Sequence, residues 1–203
     1  MTKIDVMRDF ARLIIVSTLM LTAPATLRAD ARADGEKGIL EYKKGNLIEA
    51  MQLLEKSAAE GYAPAQTTLA FILDLGENDA QAVHWYRQAA DRNDAGGLYG
   101  LGGMYAKGEG VEKDPIKAGQ LIKQAAHLDH AEAMRYYAKA LESGNLGFDA
   151  APRLAAEWYQ KAAERGDKPS MHRLKQAYTS GQLGLPVDAD KARAWNDKVN
   201  QPD

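Results

Sequence analysis

Paired alanines recur along the chain at Ala58-Ala59, Ala89-Ala90, Ala125-Ala126 and Ala162-Ala163, at steps of 31, 36 and 37 residues. Lys198-Val199 stands a further 37 residues beyond Lys161-Ala162. A period of this size constrains the fold more than any composition figure. One unit of about 30 to 40 residues holds a single helical hairpin, and only the next unit can cover its apolar face. The expected fold is all-α, a right-handed α/α solenoid of about five helical hairpins. No stretch of alternating apolar residues bounded by turn signals competes with it.

A second marker sits just before each alanine pair: Trp85-Tyr86, Leu121-Ile122, Trp158-Tyr159 and, in the last unit, Trp195-Asn196. Each follows an alanine by three residues, at Ala82, Ala118, Ala155 and Ala192. Small and bulky residues at helical spacing let one ring reach a neighbouring helix while the alanines allow close approach. This face belongs to the second helix of each hairpin. Asp114-Pro115 and Asp188 mark two of its starts, since Asp accepts a free first-turn amide and Pro fits the first helical position. The first helices end at Gly45, Gly76, Gly108, Gly144 and Gly181, where glycine can close a helix in the left-handed region. The units are thus 35–61, 62–93, 94–129, 130–166 and 167–200, with 201–203 expected as a disordered tail.

Leu101-Gly102, Tyr105, Gly108-Glu109-Gly110-Val111, Asp114, Lys117-Ala118 and Gln124-Ala125-Ala126 follow one another in an order that resembles the Sel-1-like repeat, a relative of the tetratricopeptide repeats. Trp158 to Gly166 is similar to the end of another copy. Unit two has only Glu77 to Gln81 where that family carries a longer Gly-Val loop, and unit one looks more tetratricopeptide-like. The resemblance implies adaptor work, in which exported bacterial members hold partners in envelope signalling, secretion or assembly complexes.

Residues ahead of the repeats point the same way. Leu13 to Leu21 is almost wholly apolar, follows Arg8 and Arg12, and precedes Ala23-Pro24-Ala25, the small-residue pattern of a secretory signal. The run is about half the roughly 20 residues a membrane span needs. Residues 1–25 are therefore expected to be a signal peptide, with cleavage after Ala25 or, less favourably, Ala29. Met7 offers a second start with a cleaner basic end. The expected location is the periplasm, or the medium if the product is secreted, without stable membrane insertion after cleavage.

Chemistry is sparse by comparison. The chain has no Cys, which removes disulfides, thiol nucleophiles and thiolate metal sites together. A net charge of -2 supplies no general field for nucleic acid. Ser170 has Arg173 where a Ser-x-x-Lys enzyme has its lysine, and arginine does not deprotonate to act as a base. Asp74 and Glu142 are the carboxylates to weigh as a glycosidase pair. His127, Asp129, His130 and Glu132 have ligand-type side chains but flank an inter-repeat turn. No catalytic, metal or cofactor site is expected, and the alternative function is a cell-wall or polysaccharide-binding protein or hydrolase of the envelope.

The leading function is an interaction scaffold that binds a peptide or protein on its concave face, which first helices line in related hairpin repeats. Counting two residues either side of the Leu101 position gives two rows. One is Glu36, Thr67, Tyr99, Arg135 and His172; the other is Leu40, Phe71, Gly103, Lys139 and Gln176. From these rows the partner-binding residues are expected to be Thr67, Phe71, Tyr99, Arg135, Lys139 and His172. The rings would take an apolar side chain and the Arg135–Lys139 pair a carboxylate.

Overall fold

The computed structural model describes residues 25–201, so the expected signal segment before Ala25 and the last two residues of the tail lie outside the described residues. Ten helices and no strand occur among them. They are α1 (Ala25–Lys44), α2 (Leu47–Ala59), α3 (Ala63–Leu75), α4 (Asp79–Ala90), α5 (Ala95–Lys107), α6 (Pro115–His127), α7 (Ala131–Ser143), α8 (Pro152–Glu164), α9 (Lys168–Ser180) and α10 (Ala189–Val199). Consecutive helices pack as five hairpins, each hairpin packs on the next, and the first helices α1, α3 and α5 also touch in succession. The architecture is an α/α solenoid. Among the described residues, no helix is long and apolar enough to cross a membrane.

Local chemistry sets these boundaries. Asp114 and Asp188 each accept the amide of the third residue beyond, at 2.9 Å, so both starts named from the sequence are capped helices. Asp94 and Asp167 do the same for α5 and α9. Gly108, Gly144 and Gly181 close their helices in the left-handed region, at φ 86, 65 and 67°. Unit two departs: Gly76 has φ −87°, and Glu77 takes the left-handed turn at φ 58°. A second series of such residues, Gly61, Asn93, Asp129 and Gly166, follows α2, α4, α6 and α8. Its residue types differ, which hides the position from a search by residue type.

Burial also corrects the register of unit one. Ser57 and Ala58 are fully covered whereas Ala59 is exposed, so Ser57-Ala58, not Ala58-Ala59, is the counterpart of Ala89-Ala90. Ser57 keeps its hydroxyl satisfied by donating to the Ala31 carbonyl oxygen at 2.6 Å. The first helix therefore reaches ten residues ahead of the expected unit start, and Ala31 is buried within it.

The core is divided unevenly. One continuous cluster runs from Leu98 through Ile122, Tyr137, Trp158 and Tyr159 to Leu174 and Leu183. Two smaller ones serve the N-terminal half, around Leu54 and Leu69 and around Tyr86, Leu101 and Met104. The connections inside the hairpins follow the same division. Units one and two turn through 45–46 and 76–78, whereas units three to five use 108–114, 144–151 and 181–188.

Candidate partner-binding face

The two rows of first-helix residues meet different fates. Thr67 donates from Oγ1 to Asp94 Oδ1 at 2.7 Å, and that same oxygen accepts the Gly97 amide at 2.8 Å. Tyr99 lies against the His130 ring with centroids 4.9 Å apart. Arg135 donates from Nε to Asp167 Oδ1 at 3.0 Å, while Asp167 Oδ2 accepts the Ser170 amide at 2.9 Å. Asp94, His130 and Asp167 are the residues that cap α5, α7 and α9. Three expected binding residues thus each grip the cap of the next first helix. They are part-buried and act as latches between units.

This latch was not foreseen, although Asp94 and Asp167 carry the residue type of a helix cap. His130 is the harder case. Its Nδ1 accepts the Ala133 amide at 3.2 Å, which requires a neutral ring with Nδ1 unprotonated. Burial pushes the pKa of His130 down, against Glu132 and Asp94, and so favours that neutral form.

The second row stays open. Leu40 is 50% and Phe71 43% exposed, Lys139 and Gln176 are exposed, and a Cβ placed on Gly103 would have nothing within 4 Å. Phe71 packs edge-to-face with Tyr42, ring centroids 6.3 Å apart. His172, of the first row, is exposed as well. Beside Arg135 stands a residue that the sequence reading missed. Tyr136 is 39% exposed, with its ring centroid 5.6 Å from Tyr99 and the Arg135 guanidinium 4.7 Å above it. Burial and Tyr136 together push the Tyr99 phenol up, so it remains an uncharged donor at neutral pH. The adjoining Tyr137 is core, at 5% exposure, so of the two consecutive tyrosines on α7 only Tyr136 is left at the surface.

The polar groups around Glu142 are already committed. A cleft of about 500 Å³ between units four and five is lined by Glu142, Arg173, Gln176 and Gln182. Tyr159 donates its hydroxyl to Glu142 Oε2 at 2.9 Å, and Arg173 donates to Glu142 and to Gln182. Burial opposes ionisation of Glu142, but the hydrogen bonds from Arg173 and Tyr159 outweigh it and hold its pKa below the usual range. Asp74 instead neighbours Lys107, Glu109 and Asp79, so the two carboxylates weighed as a pair have different surroundings. Ser170 is fully buried, out of reach of any substrate. His127 packs edge-on to Trp158 at 4.9 Å and Asp129 pairs with Arg165 at 2.7 Å, which separates them from His130. No group of three or more metal-ligating side chains occurs among the described residues.

With the geometry established, its relatives can be placed. The Sel1 repeat model matches residues 35–62, 65–94, 95–130, 131–167 and 169–195. The chain belongs to the Sel1-repeat family. A Sel1 repeat protein from Oxalobacter formigenes superposes with a TM-score of 0.78 at 30% identity, over 85% of this chain and 72% of that one. In sequence, the uncharacterized protein NMB1327 of Neisseria meningitidis is 31% identical over 140 residues, 66% of this chain and 30% of its own length. The chitin synthase regulator SKT5 of Saccharomyces cerevisiae is 32% identical over 133 residues, 62% of this chain and 19% of its own. This Sel1-repeat chain therefore spans less than a third of the curated relatives it matches. Sel1-repeat proteins are protein-interaction scaffolds, and several of the relatives are named as chitin synthase regulators.

Proposed function

We propose that this Sel1-repeat protein is an exported adaptor that holds an extended segment of a protein partner along its concave groove, in the bacterial envelope. The observation that carries this reading is the division between the two rows. Thr67, Tyr99 and Arg135 are spent joining units, while Leu40, Phe71, the gap at Gly103, Lys139 and Gln176 form an open track across all five. Phe71 and Leu40 suit an apolar side chain and Lys139 suits a carboxylate, with exposed Tyr136 on the same helix as Lys139. Arg135 does not share the carboxylate with Lys139, because Asp167 already holds its guanidinium.

Export rests on the apolar run before Ala25, and N-terminal sequencing of protein from an envelope fraction tests it directly. The expected first residue is Thr26 or Asp30. For the groove, in-cell crosslinking followed by mass spectrometry identifies the partner. Phe71→Ala with Lys139→Glu should abolish its capture while thermal unfolding stays nearly unchanged, since both side chains face solvent. Capture at wild-type level by that variant would overturn the concave-face reading. Tyr99 and Arg135 make poorer probes, because changing them loosens the junctions as well.

A further inference from the structure

The open track changes character along its length. Over units one and two it is apolar: Leu40 on α1, and Phe71 with Leu75 one helical turn further along α3, are all exposed. At unit three it is bare, since a Cβ placed on Gly103 would meet nothing within 4 Å. Beyond that gap it is polar, with Lys139 and then Gln176 exposed. Lys139 enters no hydrogen bond or ion pair among the described residues, and Glu142, which senses its charge, is already held by Arg173 and Tyr159. A segment that follows the track in order thus brings two apolar side chains, then a bulky one for the gap, then an acidic one.

The spacing of the first helices sets how far apart those side chains stand. Helices α1, α3 and α5 touch in succession. Glycines permit the close approach: Gly35 of α1 leaves room for the Tyr62 ring at the head of α3, and a Cβ on Gly96 of α5 would fall 2.8 Å from the Thr67 methyl of α3. Helices in such contact have axes about 8 to 10 Å apart. A β-strand shows the same face every second residue, about 6.6 Å, and falls out of step at each helix. A polyproline II helix turns once in three residues of about 3.1 Å each, so it returns to the same face every ~9.3 Å and stays in step.

Hydrogen bonding favours the same conformation. Leu40, Phe71, Gly103 and Lys139 offer no side-chain acceptor, so backbone amides laid along them gain nothing, whereas proline has no amide to satisfy. Polyproline II leaves its carbonyls without internal partners, and Lys139, the Gln176 amide and the exposed Tyr136 hydroxyl can donate to them. Such a segment is also ordered before it docks, which lowers the entropy lost on binding.

We propose that the groove takes a proline-rich segment in the polyproline II conformation, with an apolar, a second apolar, a bulky and an acidic residue at every third position, seated over Leu40, Phe71, Gly103 and Lys139 in turn. The assignment rests on the concave-groove reading and specifies which extended segment that groove holds.

The probe is the synthetic peptide Leu-Pro-Pro-Leu-Pro-Pro-Phe-Pro-Pro-Glu, made in both chain directions and titrated calorimetrically into the full-length protein. The better of the two should bind at least fivefold more tightly than Leu-Pro-Leu-Pro-Phe-Pro-Glu in the same direction, whose side chains repeat every second residue. It should exceed by as much the form with alanine for every proline. Phe71→Ala with Lys139→Glu should weaken it more than tenfold. Gly103→Leu fills the gap and should weaken it more than fivefold, while the peptide with alanine in place of phenylalanine tolerates that change. Should Gly103→Leu fail to fold, the first variant alters only exposed side chains and carries the test. Equal binding of the two-residue or the alanine form would overturn the proposal, as would absence of binding by every peptide at millimolar concentration or binding indifferent to Phe71→Ala with Lys139→Glu. Cellular capture judges the groove separately. A partner held through Phe71 and Lys139 whose crosslinked segment lacks prolines at this spacing would overturn the polyproline assignment and leave the groove reading standing.

Discussion

Trp85 and Trp158 hold the same repeat position at two different junctions. Trp158 is 6% exposed, flanked edge-on by His127 at 4.9 Å and Tyr137 at 5.2 Å, with Phe148 5.0 Å from Tyr137 completing the stack. Trp85 is only half-buried and lines an open cleft, with its sequence neighbour His84 as its ring contact. The difference lies less in the tryptophan than in the loop that leads into its own helix, since 144–151 supplies Phe148 and 76–78 supplies nothing comparable. In a solenoid, where each unit is covered only by its neighbours, shortening one loop exposes the junction before it.

The largest expected effect tests this comparison directly. Trp158→Ala should cost about 3 to 5 kcal/mol, the usual range for removing a buried aromatic ring from a packed core. Trp85→Ala should cost about 1 to 2 kcal/mol, because water already reaches part of that ring. Denaturant unfolding of both variants measures the gap. Equal costs would mean that the loop does not control burial of the ring.

A smaller effect is expected beneath the loop itself. A Cβ on Gly119 would run into the Leu146 carbonyl and the Phe148 ring, and backbone cannot move aside as a flexible side-chain tip can. Gly119→Ala should therefore destabilise by about 1 to 3 kcal/mol despite the better helix propensity of alanine. The same variant should raise hydrogen exchange across 144–151 and leave α1 to α3 unchanged. Protection lost evenly along the chain would show that the units do not behave as separable neighbours.

How much of this was legible beforehand depends on the kind of contact. Trp158, the second-helix alanines and the caps at Asp114 and Asp188 were readable because each is fixed by residue type and spacing within one helix. The latches were not, since Thr67–Asp94, Tyr99–His130 and Arg135–Asp167 join three different residue pairs at one repeat position. A polar bond, a ring stack and an ion pair share geometry but no sequence signature. The shift of unit one by one residue was likewise masked, because Ala59 completes an alanine pair while Ser57 takes the buried place. Gly76 illustrates the reverse failure, a helix-ending glycine whose left-handed turn is made by Glu77. Short loop 76–78 was visible as a deviation, yet its consequence for Trp85 needed the position of Phe148 in the later unit.

The junction between units three and four should also respond to pH. His130 caps α7 only while neutral, and its native pKa lies below the ordinary histidine value of about 6.5. The unfolded chain binds the proton more readily, so stability is complete above about pH 6.5 and falls as pH drops from there toward the lowered native value. Glu132, 3.4 Å from Nδ1, and Asp94 limit the loss by favouring the charged ring. His130→Asn, which caps without titrating, should flatten this part of the profile, whereas His130→Ala should cost about 1 kcal/mol at neutral pH. Thermal unfolding between pH 5 and 8 distinguishes the two variants.

The smallest expected effect has the opposite sign. Gly100, Gly102 and Gly103 all lie inside α5, where each glycine costs about 1 kcal/mol relative to alanine. Gly100 and Gly102 have a packing reason for lacking a side chain, because a Cβ would strike Tyr86 at the first and approach Ile122 to 2.9 Å at the second. Gly103 has no such reason, with nothing within 4 Å of the position and ordinary helical backbone. Gly103→Ala should therefore stabilise the protein by about 0.5 to 1 kcal/mol, through fewer conformations in the unfolded chain. Glycine at that place thus weakens the helix without serving the fold, which agrees with a groove that needs its centre left bare. If Gly103→Ala raises the unfolding temperature and weakens partner capture, the gap between Phe71 and Lys139 is occupied by the bound segment. If it raises the temperature and capture is unchanged, the segment crosses elsewhere, and exposed Tyr136 becomes the position at which to look for it.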